Sequence, residues 1–244
     1  MRAFGRWCVL LLLAGLGLQL FFALRIASLA VIDPQSTSFQ RSQIWKIVSR
    51  HGQLPWRQVW VDGSAISPKL QRAVIASEDS LFAQHGGLWW ESLEKAWEKN
   101  AKAKALAEQR AQRRPDGKTP PIKIVGGSTI TQQLAKNLFL SGERTLWRKG
   151  QEMMITLALE TFLSKRRILE IYLNSVEWGE GVFGAEAAAQ HYFKKSAARL
   201  NDWEAARLAV MLPRPRYFEQ KPQSAYLASR ADTIVARMGE VVLP

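Results

Sequence analysis

The chain has 244 residues, 47% of them hydrophobic, which is enough for a full core in one or two domains and excludes a mini-protein or a disordered tail. Its 34 Lys and Arg against 21 Asp and Glu leave a formal charge of +13, a field that attracts phosphates, acidic headgroups or nucleic acid without choosing among them. The single cysteine, Cys8, excludes an internal disulfide and a cysteine-based zinc cluster, and the three scattered histidines, His51, His85 and His191, make a poor metal-ligand set.

From Trp7 to Leu24 the chain is apolar apart from Gln19. As a helix this stretch spans about 27 Å, near the ~30 Å of a hydrocarbon core. Arg25 can snorkel and let the helix run towards Ile32, giving an anchor over 7–32. Arg2 and Arg6 precede it, so residues 1–6 stay cytoplasmic and 33–244 cross the membrane. A cleaved signal peptide is the alternative, with Ser28-Leu29-Ala30 as its site, but the apolar run exceeds the usual ~7 to 15 residues of a signal core.

The remainder reads as helices. Ser67-Pro68 is an N-cap followed by proline at the first helical position, and Leu70, Ala73, Val74 and Ser77 carry that helix to about Glu78. Thr129 with Gln132, and Asn201 with Glu204, have capping-box spacing ahead of apolar-periodic runs, and Pro213 and Pro215 stop the second. A long helix opens near Thr145 and runs to Leu163, a further one covers Arg167 to Leu173, and glycines 179, 181 and 184 break the pattern before Ala185 to Phe193. Strand signals are weak, confined to Val59 to Val61 and Lys123 to Val125. One predominantly helical domain is expected after the anchor.

Between Glu94 and Lys118 lie eight basic residues (Lys95, Lys99, Lys102, Lys104, Arg110, Arg113, Arg114 and Lys118), helical at first and loop-like towards Pro120-Pro121. Trp89, Trp90, Leu93 and Trp97 form a stripe just before and within it, either an amphipathic element on anionic headgroups or core packing with a solvated basic face.

Two glutamates stand where carboxylates are awkward. Glu78 falls at the negative end of its helix beside Asp79, and both effects raise a carboxylate pKa, as suits a general acid or base; the plain alternative is a solvated helix-end acid. Glu152 follows Arg148 and Lys149, cations in a first helical turn, with an Arg148–Glu152 salt bridge as the plain alternative. Lys136 and Arg144 add cations nearby in sequence. Two acids among cations are what glycosyl transfer with a pyrophosphate leaving group requires: one activates a sugar hydroxyl while the cations hold the departing phosphates.

Glu78-Asp79-Ser80-Leu81-Phe82-Ala83-Gln84-His85-Gly86-Gly87 resembles the first signature of the peptidoglycan glycosyltransferases of glycosyltransferase family 51. Gly127 to Gln133 with Lys136-Asn137 is similar to the second motif, Arg148 to Glu152 to the third, Lys165 to Phe193 to the fourth and, more weakly, Arg207 to Pro213 to the fifth. Five blocks in the family's order cover most of the domain. An anchor followed by such a domain resembles the family's monofunctional biosynthetic branch, held in Gram-negative inner membranes by a single pass with the catalytic domain in the periplasm.

The resemblance implies a mainly α, lysozyme-like fold and the polymerisation of lipid II, the undecaprenyl-pyrophosphate-linked disaccharide-peptide, into β-1,4 glycan strands. Carried over by motif, Glu78 is the base for the acceptor 4-hydroxyl and Glu152 assists at the donor. Lys136, Arg144, Arg148 and Lys149 bind pyrophosphate, and Ser128, Thr129, Gln132, Gln133 and Asn137 surround the sugars. Glu170 and His85 are read as structural, His85 orienting its loop. No cofactor is required, although the resemblance leaves room for Mg²⁺ or Mn²⁺ at Glu152. The expected partners are lipid II, the growing glycan, the inner membrane and other cell-wall synthases or division proteins, with no nucleic acid. Ser92 and Lys95 form a bare Ser-x-x-Lys without Ser-x-Asn or Lys-Thr-Gly, so no transpeptidase activity is expected. A lysozyme-like hydrolase, which has no need of the cations, and a non-enzymatic membrane-anchored binder of anionic lipid or nucleic acid are the competing classes.

Overall fold

A computed structural model describes residues 2–112, 127–140 and 145–244. Arg144, the strand expected at Lys123 to Val125 and the basic residues from Arg113 to Lys118 lie outside the described residues, as do the side chains of Ser92 and Lys95.

Helix α1 (Arg2–Ser28) is apolar on every side and exposed over most of its length, and Ala3–Ser28 is long and apolar enough to cross a membrane. It stops at Ser28 rather than running on towards Ile32. Ile26 and Leu29 are buried in the domain core, so the chain must turn there. Arg167 holds the turn, donating to the carbonyls of Leu29 at 2.8 Å and Ile32 at 3.2 Å and pairing with Asp33 at 2.7 Å.

Helix α2 (Ser38–His51) was not expected. Thr37 and Gln40 form a complete capping box at its start, and Gly52, at φ 65°, ends it in the left-handed conformation open to glycine. Strand β1 (Arg57–Gln58) lies just before the Val59–Val61 run proposed from sequence. It pairs parallel with β3 (Val182–Phe183), which pairs antiparallel with β2 (Glu177–Gly179), so the glycine-rich stretch is a small sheet rather than a break between helices.

Helices α3 (Pro68–Glu78), α5 (Ile130–Phe139), α6 (Leu146–Phe162), α7 (Lys165–Ser175), α8 (Ala185–Phe193) and α9 (Asp202–Met211) stand where capping and periodicity placed them. Ser67, Thr129, Thr145, Ser164 and Asn201 each accept a backbone N–H in the first turn that follows. Short α10 (Pro215–Glu219) and α11 (Ala225–Met238) complete the chain.

Helices α3, α9 and α11 pack together around Leu70, Val74, Leu208, Leu227 and Ile234, all buried. Ala205, Ala206 and Ala209 on α9 have no bulk to hold the neighbouring backbones apart. A large aliphatic side chain at such a position contributes about 1.5–3 kcal/mol through burial. A second layer sets α5 on α6 and α7, and Leu134, Ile155, Leu159, Leu169 and Tyr172 fill its interior. Glu78 at the end of α3 is linked by hydrogen bonds through Gln133 of α5 to Tyr172 of α7.

Helix α4 (Trp90–Gln112) carries the first part of the basic segment. Trp97 is 77% exposed, so it is not a core residue, while Trp89 precedes the helix and stacks on the His85 ring at 6.2 Å.

Candidate active site

Glu78 ends α3, and its carboxylate points at α5. Gln133 donates an amide N–H to its Oε2 at 2.9 Å and accepts from the Tyr172 hydroxyl at 3.0 Å, so one glutamine links residues of three helices. Burial pushes the Glu78 carboxyl up from its ordinary value; the Gln133 and Ser77 hydrogen bonds oppose this, and the neighbouring Asp79 charge adds a smaller upward push. The direction agrees with the expectation from sequence, but the main cause is desolvation. Tyr172 is fully buried, and burial together with the Glu78 and Asp79 charges drives its pKa well above normal, so it keeps its proton and donates a hydrogen bond to Gln133.

Asp79 has a different task. Its Oδ1 lies 2.8 Å from His85 Nε2 and its Oδ2 accepts the Ile130 backbone N–H at 3.0 Å. His85 Nδ1 accepts the Gly87 N–H at 3.1 Å, which assigns the ring proton to Nε2, facing Asp79. The Thr129 hydroxyl donates to the Gly87 carbonyl at 2.6 Å. The loop after α3 is thereby tied to the N-terminus of α5, and His85 orients that loop as the sequence suggested. Gly87 sits at φ +81°, and a Cβ there would lie 2.7 Å from Glu160 Cγ and 2.8 Å from Thr156 Cγ2.

The other residues proposed around the sugars divide. Thr129 and Gln132 are buried and their polar groups make the α5 capping box. Asn137 is buried, whereas Ser128 and Lys136 are exposed. Gln133 is the member of the set that touches a candidate catalytic carboxylate.

Glu152 is 3% exposed on α6. Arg148 approaches one carboxylate oxygen at 2.8 Å and Lys149 pairs with the other, so the Arg148–Glu152 bridge given as the plain alternative does form, and Lys149 joins it. Two cations share one anion, and the cluster keeps a positive charge at the helix N-terminus, where the macrodipole adds to it. Arg148 Nε is buried without a hydrogen-bond partner. A divalent cation fits poorly beside Glu152, since each carboxylate oxygen already faces a cation, and among the described residues no three His, Cys, Asp or Glu are grouped to hold one.

One cluster escaped sequence reading. Glu160 accepts from the Thr131 hydroxyl at 2.6 Å and from Lys165 at 2.8 Å, and the Lys165 ammonium sits 4.5 Å above the Phe82 ring. It joins the first, second and fourth motif segments, and the position of Lys165 at the start of the fourth was the available signal. Glu170 pairs with Arg167 at 2.7 Å, tying it to the group that holds the turn after α1 and agreeing with a structural role.

A family model described as transglycosylase matches residues 46–239, a span that contains all these groups. The chain is 51% identical over 231 residues to a biosynthetic peptidoglycan transglycosylase of Burkholderia thailandensis, covering 95% of this chain and 84% of that protein. It is 50% identical over 239 residues to one from Herminiimonas arsenicoxydans, covering 98% and 96%.

The chain belongs to the transglycosylase family. It is a peptidoglycan glycosyltransferase, which sets aside the hydrolase and the non-enzymatic binder. The transglycosylase has the mainly α, lysozyme-like architecture that the resemblance implied, preceded by an apolar helix consistent with membrane anchoring.

Proposed function

We propose that this transglycosylase polymerises lipid II into β-1,4 glycan strands, with Glu78 as general base and pyrophosphate bound at the α6 cluster. The observation that carries the reading is the contrast between two carboxylates. Glu78 is desolvated and held by a neutral amide, whereas Glu152 is held by two cations. The first can take a proton; the second can orient cations around a leaving group.

In the proposed step the acceptor 4-hydroxyl gives its proton to Glu78 as its oxygen bonds to the donor C1. The C1–O bond to phosphate breaks, and its electron pair leaves with the lipid pyrophosphate. Attack opposite the leaving group converts an α linkage into a β linkage without a covalent enzyme intermediate. Arg148 offers its unpartnered Nε–H and Lys149 its charge to the phosphate oxygens as negative charge develops there. Lys136 and Arg144 are proposed to complete the phosphate site, and Ser128, Gln133 and Asn137 to contact the sugars. No step is routed through a metal.

Arg2 and Arg6 ahead of α1 support a cytoplasmic N-terminus and a periplasmic catalytic domain in the inner membrane. The absence of Ser-x-Asn and Lys-Thr-Gly from the sequence supports polymerisation without transpeptidation. The test mixes full-length protein in detergent with labelled lipid II and resolves products by gel, with Glu78→Gln and Glu152→Gln beside wild type. Muramidase-sensitive, uncrosslinked polymer from wild type alone is expected; cleavage of preformed glycan without polymer would refute the proposal.

A further inference from the structure

The anchor is part of the domain's interior at its outer end. Ile26 and Leu29 lie in the core, Phe22 meets Phe139 edge-on at 5.6 Å, and the Arg25 guanidinium sits 5.4 Å over the same ring. Further back along α1, the Gln19 amide donates to the Gln151 side-chain oxygen at 3.1 Å. Gln19 is the polar interruption between Trp7 and Leu24, and Gln151 immediately precedes Glu152. The Gln151 amide nitrogen is buried without a hydrogen-bond partner, so among the described residues the bond from Gln19 to its oxygen is what fixes this side chain. A polar group in a membrane span is unfavourable unless paired within the protein.

The position of this bond along the helix sets a depth. Gln19 precedes Arg25 by six residues, about 9 Å along the axis. If Arg25 reaches the headgroups, Gln19 and its partner lie below that level, at the outer edge of the hydrocarbon. The outward side of α6 fits such a place: Trp147, Met154 and Leu157, at helical spacing on one face, are 91%, 53% and 46% exposed.

We propose that Gln19 is a positioning residue for polymerisation, its bond to Gln151 holding Arg148, Lys149 and Glu152 at the depth of a lipid-linked pyrophosphate. The inference rests on the lipid II reading above. A donor carried by its own lipid tail moves freely in the bilayer plane, but its phosphates stay at a fixed depth. A site on a loosely tethered domain would meet them only part of the time; one locked to the anchor is held at their level.

The test uses the full chain in liposomes with lipid II. Gln19→Leu and Gln151→Leu are each expected to raise KM for lipid II roughly three- to tenfold, the scale of one interhelical hydrogen bond in a bilayer. Turnover at saturation and the thermal midpoint stay at wild-type values, and the double variant is no worse than either single one because the two residues share one bond. A nitroxide on Met154→Cys, in a Cys8→Ser background, reads depth independently of activity and should move when Gln19→Leu is added. Wild-type KM and unchanged label depth in Gln19→Leu, from an enzyme that polymerises, overturn the inference. A parallel fall in kcat and thermal midpoint overturns it too, by making Gln19 a stability residue only. Failure of the wild type to make polymer refutes the lipid II reading itself.

Discussion

The Asp79 carboxylate accepts the Ile130 backbone N–H at 3.0 Å, joining the acid that follows the candidate base to the first residue of α5. Because His85 takes the other oxygen, Asp79 is a buried acceptor with both positions filled. Asp79→Asn keeps one acceptor and presents an amide N–H to the His85 donor. The expected cost is about 1.5–3 kcal/mol, the worth of hydrogen bonds to a charged group. Calorimetry should show a lower thermal midpoint, and polymerisation should fall although the Glu78 carboxylate is untouched.

Glu78→Gln is expected to lower the polymerisation rate by about 10²–10⁴-fold, the range for loss of a general base. It should also stabilise the protein at neutral pH. A carboxyl whose folded pKa is raised binds more protons folded than unfolded, so its ionisation costs stability as pH rises through that window. The gain of Glu78→Gln in thermal midpoint should be present at pH 7 and vanish below the unfolded value near 4.5. Thermal melts from neutral to acidic pH check this.

Gln133→Leu removes the hydrogen bond that lowers the Glu78 pKa and leaves the burial that raises it. The acidic limb of kcat/KM should shift to higher pH than in wild type, with a lower plateau because the carboxylate is no longer aimed. A pH–rate profile with an unmoved acidic limb would exclude Gln133 as the group that tunes the base.

Arg148→Lys retains charge but loses the guanidinium fork and the unpartnered Nε donor. The expected result is roughly a tenfold loss of kcat/KM for lipid II, from a weaker contact with phosphate oxygens. Lys149→Ala should weaken inhibition by added inorganic pyrophosphate, measured in the same gel assay.

Gly181→Ala tests the small sheet. Gly181 adopts φ +74°, and a Cβ there would fall 1.9 Å from the Pro55 carbonyl oxygen, while its own carbonyl accepts the Arg57 N–H at 2.8 Å. The β1–β3 pairing cannot accommodate the methyl without moving backbone. Loss of soluble, protease-resistant protein is expected, against near wild-type behaviour for an alanine at Gly150, where a Cβ would meet nothing within 4 Å.

Helix boundaries were legible because their causes are local. Thr129 with Gln132, Asn201 with Glu204, and Ser67 with Pro68 act on backbone groups two or three residues away, and the helices begin where those residues place them. Helix α2 carried the same signal in Thr37 and Gln40, with Gly52 as its stop. The three strands among the described residues were not legible, being two or three residues long, with Arg57 paired to the distant Val182.

The sequence by itself determined the anchor's apolar length, the helix caps and the order of the motif blocks, because each depends on neighbours along the chain. It also identified Glu78 and Glu152 as the acids of interest. Only the tertiary structure decided what surrounds them. Desolvation of Glu78 depends on α5 and α7, and the bonds of Asp79 run to a loop and to another helix. The anchor's end at Ser28 follows from burial of Ile26 and Leu29 in a core built by residues far along the chain. Burial is a property of the packed molecule, so no spacing along the sequence could specify it.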